Sequence, residues 1–412
     1  MLTGPRRQFK LLERAPAFRS LYLSTLASNL GTWIAVVALT VDVYDRTHSA
    51  KWVSALLIVD FLPAVAIGLL LGPLVDRLSR RRLLIWADLT RLAVFVGLAF
   101  TTSAGQVVAL AAVAGFATGF FRPAVLAGLP NLVDDADLGD ANSMLRSVEY
   151  IGWTAGTLLG GAIAATSGPH LAYWLNAGSF LVSAVLVMQI ADSLLQSARA
   201  ETRGYRRDVT DGFSVVFSSR ALVAVFISWN LAMWANAGVN VAEVVLAKTS
   251  FHSGSFGYGL LQAGSGIGMV IGSLYASTWL EQRGVSFVYG ASLALTAFGV
   301  LAAGVSPDVW VAAACMALSG SGNGAAIVCN GLLVQRGAPD RLRGRALTTI
   351  MSATFAMLGI GMVVWGPVTD AIGARWVFGG AAFFAFAGAV VGRELTRGVS
   401  AAGAAEPVSA SG

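Results

Sequence analysis

An ionisable side chain lies deep inside a long apolar stretch of this sequence, where a bare charge is unfavourable. Asp60 lies eight residues, about 12 Å along a helix, inside the run 52–74, and no basic residue occurs within one helical turn of it. A charged group in a membrane span costs roughly 2.5–3.5 kcal/mol, so such groups are usually paired or functional. Asp60 is therefore a candidate proton carrier, and the alternative is a carboxyl group hydrogen-bonded between two helices.

Arg122 and Glu149 form a second candidate for proton chemistry. They lie at similar depths, eight residues from the end of the run 107–130 and six residues into the run 143–166. An ion pair between two helices is one interpretation, and a pair of Glu149 with Arg146, three residues away on the same helix, is the other. We predict that Asp60, Arg122 and Glu149 contribute to proton coupling, with the latter two as the reserve site.

The composition indicates which elements must position these groups. Of the 412 residues, 56% are hydrophobic and only 12% are charged, whereas a soluble domain carries about a quarter charged residues. The chain therefore belongs in a bilayer, which a helix crosses in about 20 residues. Twelve predicted spans follow: 21–44, 52–74, 82–103, 107–130, 143–166, 170–191, 220–247, 257–280, 286–304, 309–335, 345–370 and 373–392.

Arginine and lysine are distributed unequally between alternate connections. Of the 28 basic residues, 21 lie in the two terminal segments and every second connection, four lie in the other connections and three lie inside spans. Because cytoplasmic connections are enriched in arginine and lysine, we expect both termini to be cytoplasmic. The basic N-terminal segment has no small-residue cleavage site and is predicted to be retained. The dispersed arginines argue against a nucleic-acid partner.

The longest polar connection, 192–219, separates six predicted spans from six. A shift of 203 residues superimposes Gly119 on Gly322 and Gly156 on Gly359, a weak internal repeat that supports the division. We therefore predict an N-terminal six-helix bundle at 1–191, a cytoplasmic linker at 192–219, a C-terminal six-helix bundle at 220–394 and a disordered cytoplasmic tail at 395–412.

The connection 72–84, GPLVDRLSRRRLL, concentrates charge between two apolar runs. It is similar to the signature G-x-L-x-D-R-x-G-R-R/K between spans two and three of the major facilitator superfamily, with Ser79 at the second glycine. Other similar stretches are PAFRSL at 16–21, YDRTHSA at 44–50, LPNLVDDADLGDAN at 129–142 and LRGR at 342–345, with the pair Asp88 and Arg91. The chain resembles the twelve-span drug:proton antiporters of that superfamily, which include macrolide and enterobactin exporters.

The resemblance implies an all-α membrane protein with twelve transmembrane helices in two six-helix bundles around a central cavity. It also implies that the charged connection is a conformational latch, whose charge-assisted hydrogen bonds to helix ends of the opposite half form in one state only. Plain positive-inside anchoring is the alternative, for which arginines alone would suffice. The predicted latch residues are Gly72, Asp76, Arg77, Arg80, Arg81, Asp88 and Arg91.

Two further sets of residues follow from the same resemblance. The glycines of the fifth span are similar to an antiporter motif, with Thr157 in place of its proline; they are Gly152, Gly156, Gly160 and Gly161. The cavity of this fold is lined by spans one, four, seven and ten, which here hold amides and aromatics suited to amphipathic substrates. Helix packing and anchoring at the interface are the alternative roles. These residues are Asn29, Trp33, Asn230, Trp234, Asn236, Asn240, Asn323 and Asn330.

Other classes of function lack their motifs. The chain contains no HExxH metal motif, no nucleophile motif with suitable partners, and no phosphate-binding G-x-x-x-x-G-K-S/T. A channel would need neither duplicated halves nor a latch. We expect a monomeric exporter in the plasma (inner) membrane that binds amphipathic small molecules and membrane lipids, is driven by the proton gradient, and uses no cofactor or metal. A dedicated siderophore or lipid exporter is the alternative.

The charge asymmetry makes a prediction about topology. Alkaline phosphatase, which is active only outside the cytoplasm, should remain inactive when fused to the C-terminus, whereas a cytoplasmic reporter at the same position should be active. The measurement is enzyme activity in intact cells, normalised to the amount of fusion protein. Strong phosphatase activity would contradict the predicted orientation.

Overall fold

The computed structural model of the protein describes residues 4–70, 78–195 and 213–397, and in these residues the regular secondary structure is helical. The predicted all-helical class is therefore confirmed. A short helix, Gly4–Arg14, precedes the long helices. The long helices α1 to α12 are Pro16–Thr47, Ala50–Leu70, Arg80–Leu98, Ala104–Gly128, Leu138–Ser167, Pro169–Met188, Arg220–Val245, Gly254–Arg283, Val285–Val305, Val309–Gly337, Asp340–Ile372 and Ala374–Thr396.

Ten helices in the described residues are long and apolar enough to cross a membrane. The two predicted spans that do not meet this criterion are α3 and α5. Helix α3 carries five charged residues in 19, and α5 begins with charged residues and continues with many glycines and threonines. Large apolar side chains are exposed on the other helices, for example Phe383 at 69% and Trp376 at 74%. Such surfaces suit contact with lipid.

Local sequence signals account for the helix ends. Ser103 and Gln106 form a capping box at the start of α4, and the Asp308 carboxylate accepts hydrogen bonds from two backbone N–H groups at the start of α10. Single glycines with positive φ join three pairs of helices: Gly168, Gly284 and Gly373. A side chain is disfavoured in that conformation, so glycine permits these sharp reversals between consecutive helices.

The chain divides into two compact units, Met1–Thr202 with Ala247–Ala263, and Arg203–Leu246 with Gly264–Gly412. In the first unit α1 packs on α5 and α6, α2 packs on α4, and α3 packs on both α4 and α6. One buried apolar cluster of this unit contains Leu84 and Phe120, and another contains Tyr173 and Phe180. The residues at 247–263, including the start of α8, belong to this unit.

In the second unit α7 packs on α11 and α12, and α9 packs on α10 and α12. Its buried cluster includes Tyr289, Leu293 and Leu333. The central part of the predicted linker, 196–212, and most of the predicted tail, 398–412, lie outside the described residues. The predicted domain boundaries stay predictions.

Glycines at intervals of four residues bring α8 and α10 into backbone contact within the second unit. A Cβ atom at Gly268 or Gly272 of α8 would collide with the backbone oxygen of Ala317 or Ser321 of α10, and Gly320 and Gly324 of α10 face the backbone of α8 in the same way. Small residues at this spacing are typical of tightly packed membrane helices.

This packing predicts opposite effects for two glycine substitutions. Gly268→Ala should lower the melting temperature of the detergent-purified protein, because overpacking a tight interface typically costs about 1–3 kcal/mol. Gly331→Ala on α10 is the matched control: its Cβ would meet nothing within 4 Å, and alanine favours a helix interior by about 1 kcal/mol over glycine. A fall in melting temperature that is equal in both variants would contradict the assigned contact.

Candidate functional site

A cavity of about 340 Å³ lies inside the first unit, among helices α1, α3, α4 and α5. It combines residues that the sequence assigned to two separate roles, namely the cavity residues of α1 and the reserve proton-coupling pair. Its lining also includes Arg91, which the sequence assigned to the latch. The lining residues with polar or aromatic side chains are Thr25, Ser28, Asn29, Thr32, Trp33, Arg91, Thr118, Phe121, Arg122, Glu149, Tyr150 and Trp153.

Arg122 and Glu149 form the interhelical ion pair, with 3.0 Å between Nη2 of Arg122 and Oε1 of Glu149. The sequence left Arg122 and Arg146 open as partners of Glu149, and in the structure Glu149 pairs with Arg122 of α4. Both side chains remain accessible, at 64% and 39% exposed. Ion pairs with such exposure contribute about 0–1 kcal/mol to the stability of a protein. A charged group of a substrate can therefore replace either partner with little loss of stability.

Glycines on α5 position the aromatic side of the cavity. At Gly156 and Gly160, a Cβ atom would crowd the α1 backbone near Leu30 and Ile34. This close approach stacks the ring of Trp153 on that of Trp33, with 5.8 Å between the ring centroids. The indole N–H of Trp153 donates to Oε1 of Gln262, at 3.2 Å.

Sequence reasoning missed Trp153 and Tyr150. The spacing of Trp153, four residues after Glu149 and hence on the same helix face, is the signal that identifies it. Asn29 lies beside these rings, and its buried Oδ1 has no hydrogen-bond partner among the described residues. The cavity therefore offers stacked aromatic rings, an unsatisfied amide oxygen and both signs of charge.

Asp88 and Arg91 form a buried ion pair in α3, with 2.6 Å between Oδ1 and Nη2 and side-chain exposures of 0% and 4%. The Ser183 hydroxyl of α6 donates to the other carboxylate oxygen at 2.7 Å. The Arg91 guanidinium lies between the rings of Phe121 and Phe180, 4.4 and 4.3 Å from their centroids. These contacts belong to the core of the first unit.

Asp60 lies on α2, where α4 approaches closely: a Cβ atom at Gly115 would crowd the backbone oxygens of Val59 and Asp60. Its side chain is partly buried.

Only part of the predicted latch lies in the described residues; Gly72, Asp76 and Arg77 lie outside them. Arg80 donates to the backbone oxygens of Ala127 at 2.8 Å and Leu195 at 3.1 Å. Arg81 donates to the backbone oxygen of Met188, at 2.6 Å. These acceptors lie at or near helix ends of the same unit, where cations satisfy free carbonyl groups. Bonds to the opposite half stay a prediction.

The predicted cavity residues of the second unit have mixed surroundings. The Trp234 ring packs against Trp365 and Phe384, which favours a packing role. Asn230 donates to the backbone oxygen of Phe226 at 2.6 Å, and Asn236 and Asn240 are partly buried. Several buried polar atoms find no partner in the described part of the chain: Asn230 Oδ1, Trp234 Nε1, Asn323 Oδ1 and Asn330 Oδ1.

The sequence of the chain matches the family of transmembrane secretion effectors over residues 12–408. The chain belongs to this family of the major facilitator superfamily. The predicted resemblance is thereby confirmed at the level of the superfamily, and the protein is a multi-span membrane transporter.

Relatives of this transporter include named exporters. The multidrug efflux pump Tap of Mycolicibacterium fortuitum is 26% identical over 386 residues, covering 89% of this chain and 92% of Tap. The enterobactin exporter EntS of Citrobacter koseri is 25% identical over 367 residues, covering 86% of each chain. Transport out of the cell is therefore the common activity of these relatives.

Solved transporter structures share the fold. The nucleoside transporter NupG superposes with a TM-score of 0.74 at 16% identity, covering 92% of this chain and 99% of NupG. A bacterial homologue of the human lysosomal transporter Spinster superposes with a TM-score of 0.74 at 12% identity, covering 93% and 97% of the two chains. These similarities support the major facilitator fold.

The two ion pairs of this site should differ in their contribution to stability. Asp88→Ala leaves the Arg91 charge buried and alone, which typically costs about 3–5 kcal/mol, whereas Glu149→Gln removes an accessible pair with a cost of about 1 kcal/mol or less. The melting temperature of each purified variant in detergent should therefore fall strongly for the first and little for the second. Equal shifts would contradict the assigned difference in burial.

Proposed function

We propose that this transmembrane secretion effector is a secondary active exporter of amphipathic small molecules that exchanges its substrate for protons by alternating access. The observation that carries the proposal is the cavity of the first unit, which combines the Trp33–Trp153 stack with the Arg122–Glu149 ion pair. We further propose twelve membrane spans, including α3 and α5, with both termini in the cytoplasm, and a monomer that needs no cofactor.

The chemistry of the cavity suits substrates with an aromatic body and a charged or hydrogen-bonding end. Stacked indole rings bind planar apolar surfaces, and they also attract cations through their ring faces. The accessible ion pair supplies one group for a cationic substrate and one for an anionic substrate. A site with both signs of charge and a large aromatic surface accommodates many compounds at moderate affinity.

Proton coupling is assigned to Asp60, with Arg122 and Glu149 as the reserve site. Asp60 lies inside a predicted span on α2, and its backbone is approached closely by Gly115 of α4, a helix that lines the cavity. Glu149 lines the cavity itself, so a change of partner for Arg122 would expose a carboxyl group to water. The predicted latch, including Gly72, Asp76 and Arg77, is proposed to bias the two conformational states.

A dedicated exporter of one natural product is the second candidate. The observation that favours it is the enterobactin exporter among the relatives. Because enterobactin is a siderophore, siderophores are the first class of compound to test as substrates. Comparison of the compounds accumulated by cells with and without the transporter distinguishes the two candidates: a single accumulated metabolite favours a dedicated exporter, and several unrelated amphipathic compounds favour a multidrug exporter.

Transport by reconstituted protein tests the proposal directly. Ethidium, an aromatic cation, is the probe, and its movement is measured in proteoliposomes first under an imposed pH gradient and then as exchange without a gradient. Wild-type protein should accumulate ethidium against its concentration gradient, because proton flow supplies the driving force. Asp60→Asn should lose gradient-driven accumulation and retain exchange.

Two variants serve as comparisons in this test. Asp308→Asn changes an exposed helix-capping carboxylate outside the cavity and should behave as wild type. Glu149→Gln distinguishes the two coupling sites: if it alone loses accumulation while Asp60→Asn keeps it, the coupling residue lies on α5. Wild-type transport that ignores the pH gradient would contradict proton antiport.

A further inference from the structure

The indole N–H of Trp153 is bonded to a residue that does not itself line the cavity. Trp153 lines the cavity, whereas Gln262 of α8, whose Oε1 accepts the hydrogen bond at 3.2 Å, lies outside its lining. A partly buried tryptophan N–H is unfavourable without an acceptor. Gln262 therefore satisfies the one polar atom of this indole and restricts the orientation of the ring.

We propose that Gln262 is a positioning residue that gives the cavity a preference for planar aromatic substrates. It acts through Trp153, because the hydrogen bond holds the ring of Trp153 close to parallel with the ring of Trp33, at 26° between the planes and 5.8 Å between the centroids. This inference rests on the proposed export of amphipathic compounds, and it adds a residue that determines which of these compounds bind.

Backbone contact between α5 and α8 sets the position of Gln262. A Cβ atom at Gly161 of α5 would lie 2.9 Å from the backbone oxygen of Ser255. A Cβ atom at Gly259 of α8 would lie 2.5 Å from the backbone oxygen of Thr157. Glycine permits this approach, which is typical of tightly packed membrane helices. The two helices are therefore held together beside the hydrogen bond of the indole.

The contacts between α5 and α8 follow one antiparallel register. The participating residues are four apart on α5, and three or four apart on α8, so each set occupies one face of its helix. From one end to the other, the contacts are Trp153 with Gln262, Thr157 with Gly259, and Gly161 with Ser255. The hydrogen bond is thus the last contact of a continuous row, and helix packing aims the Gln262 side chain at α5.

The opposite ring of the stack is restricted by α5 itself. A Cβ atom at Gly156 would lie 2.7 Å from Cβ of Trp33, and a Cβ atom at Gly152 would lie 3.3 Å from Cδ1 of its ring. The α5 backbone therefore limits the rotation of Trp33 on this side. The orientation of Trp153 is the variable part of the stack, and the bond to Gln262 controls it.

A fixed pair of indole rings favours one shape of substrate over another. A planar aromatic cation gains contact with an indole face only when that face has the correct orientation. A ring that is oriented before binding also loses less conformational freedom on binding. A cation without an aromatic plane relies on the carboxylate of Glu149 instead, so its affinity depends less on the orientation of Trp153.

Equilibrium binding of two cations to the detergent-purified protein tests this preference by calorimetry. Ethidium is the planar aromatic probe, and tetrabutylammonium is the probe without an aromatic plane. Gln262→Met removes the acceptor at nearly constant side-chain volume and should weaken ethidium binding about two- to tenfold, the effect of one lost hydrogen bond. Tetrabutylammonium should bind this variant as it binds the wild-type protein.

The conservative variant Gln262→Glu should restore the preference, because it retains an oxygen acceptor at the same position. The ratio of the two affinities is the quantity to compare, since an added carboxylate changes the binding of both cations. Gln282→Met is the matched control, with the same substitution at an exposed position of α8. It should leave both affinities unchanged.

Circular dichroism reports the stack without any substrate. Stacked indole rings produce an exciton couplet, and the chain has 11 tryptophans, so the spectrum of Trp153→Phe is subtracted to isolate this stack. Gln262→Met should reduce the couplet, whereas Gln262→Glu and Gln282→Met should retain it. Gln262→Asn, which withdraws the acceptor by one methylene group, is a second variant that should also reduce the couplet.

Two results would overturn the proposal: a full couplet in both Gln262→Met and Gln262→Asn, or equal losses of affinity for the two cations. A wild-type protein that binds neither cation would overturn both the proposed substrate class and the preference derived from it. If the affinities and the couplet change as expected but reconstituted transport ignores the pH gradient, the role of Gln262 stands and proton antiport fails.

Discussion

A guanidinium group buried in a membrane protein must have its counter-charge beside it, and this constraint organises the first unit. Arg91 is 4% exposed and contacts side chains from three helices: Asp88 of its own helix, Phe121 of α4 and Phe180 of α6. Removing one member of such a pair leaves a buried charge, at a cost of several kcal/mol. The packing of α3 against α4 and α6 therefore encloses the Asp88–Arg91 pair and places Arg91 at the edge of the cavity.

Glycine supplies the second constraint, because it permits helices to approach within backbone contact. On α5 this approach brings Trp153 onto Trp33 and so forms the aromatic side of the cavity. In the second unit, glycines bring the backbones of α8 and α10 into contact in the same way. Dense contact of this kind replaces much of the hydrophobic driving force, which is weak between helices surrounded by lipid.

Much of the fold was predictable because a bilayer imposes the length and composition of its helices. The apolar runs identified the long helices, and the family motifs identified the superfamily. The similar depths of Arg122 and Glu149 indicated an interhelical ion pair as one of two alternatives, and the structure has that pair and not the one with Arg146. Helices α3 and α5 are less apolar than the rest because α3 carries a buried ion pair and α5 carries the glycines of the cavity wall.

The rest of the site depended on which helices become neighbours, and a single sequence does not contain that information. Asp60 has no basic residue within one helical turn, and the close approach of α4 to its backbone at Gly115 cannot be read from the sequence. Asp88 and Arg91 were assigned to a latch by motif, and the burial of their ion pair could not be read from that motif. Trp153 was missed because its importance comes from the stack with Trp33 on α1.

The central claim is that substrate and protons move in opposite directions through one carrier. Its most direct test is a measurement of the internal pH of proteoliposomes during ethidium efflux. The proteoliposomes contain a trapped pH-sensitive dye, are loaded with ethidium and are then diluted into ethidium-free buffer. The account predicts that ethidium efflux through the wild-type protein acidifies the interior and that a protonophore abolishes this pH change. Proteoliposomes with the Asp60→Asn variant should release ethidium without any change in internal pH. Ethidium efflux at the full rate through the wild-type protein, with no change in internal pH, would contradict the account.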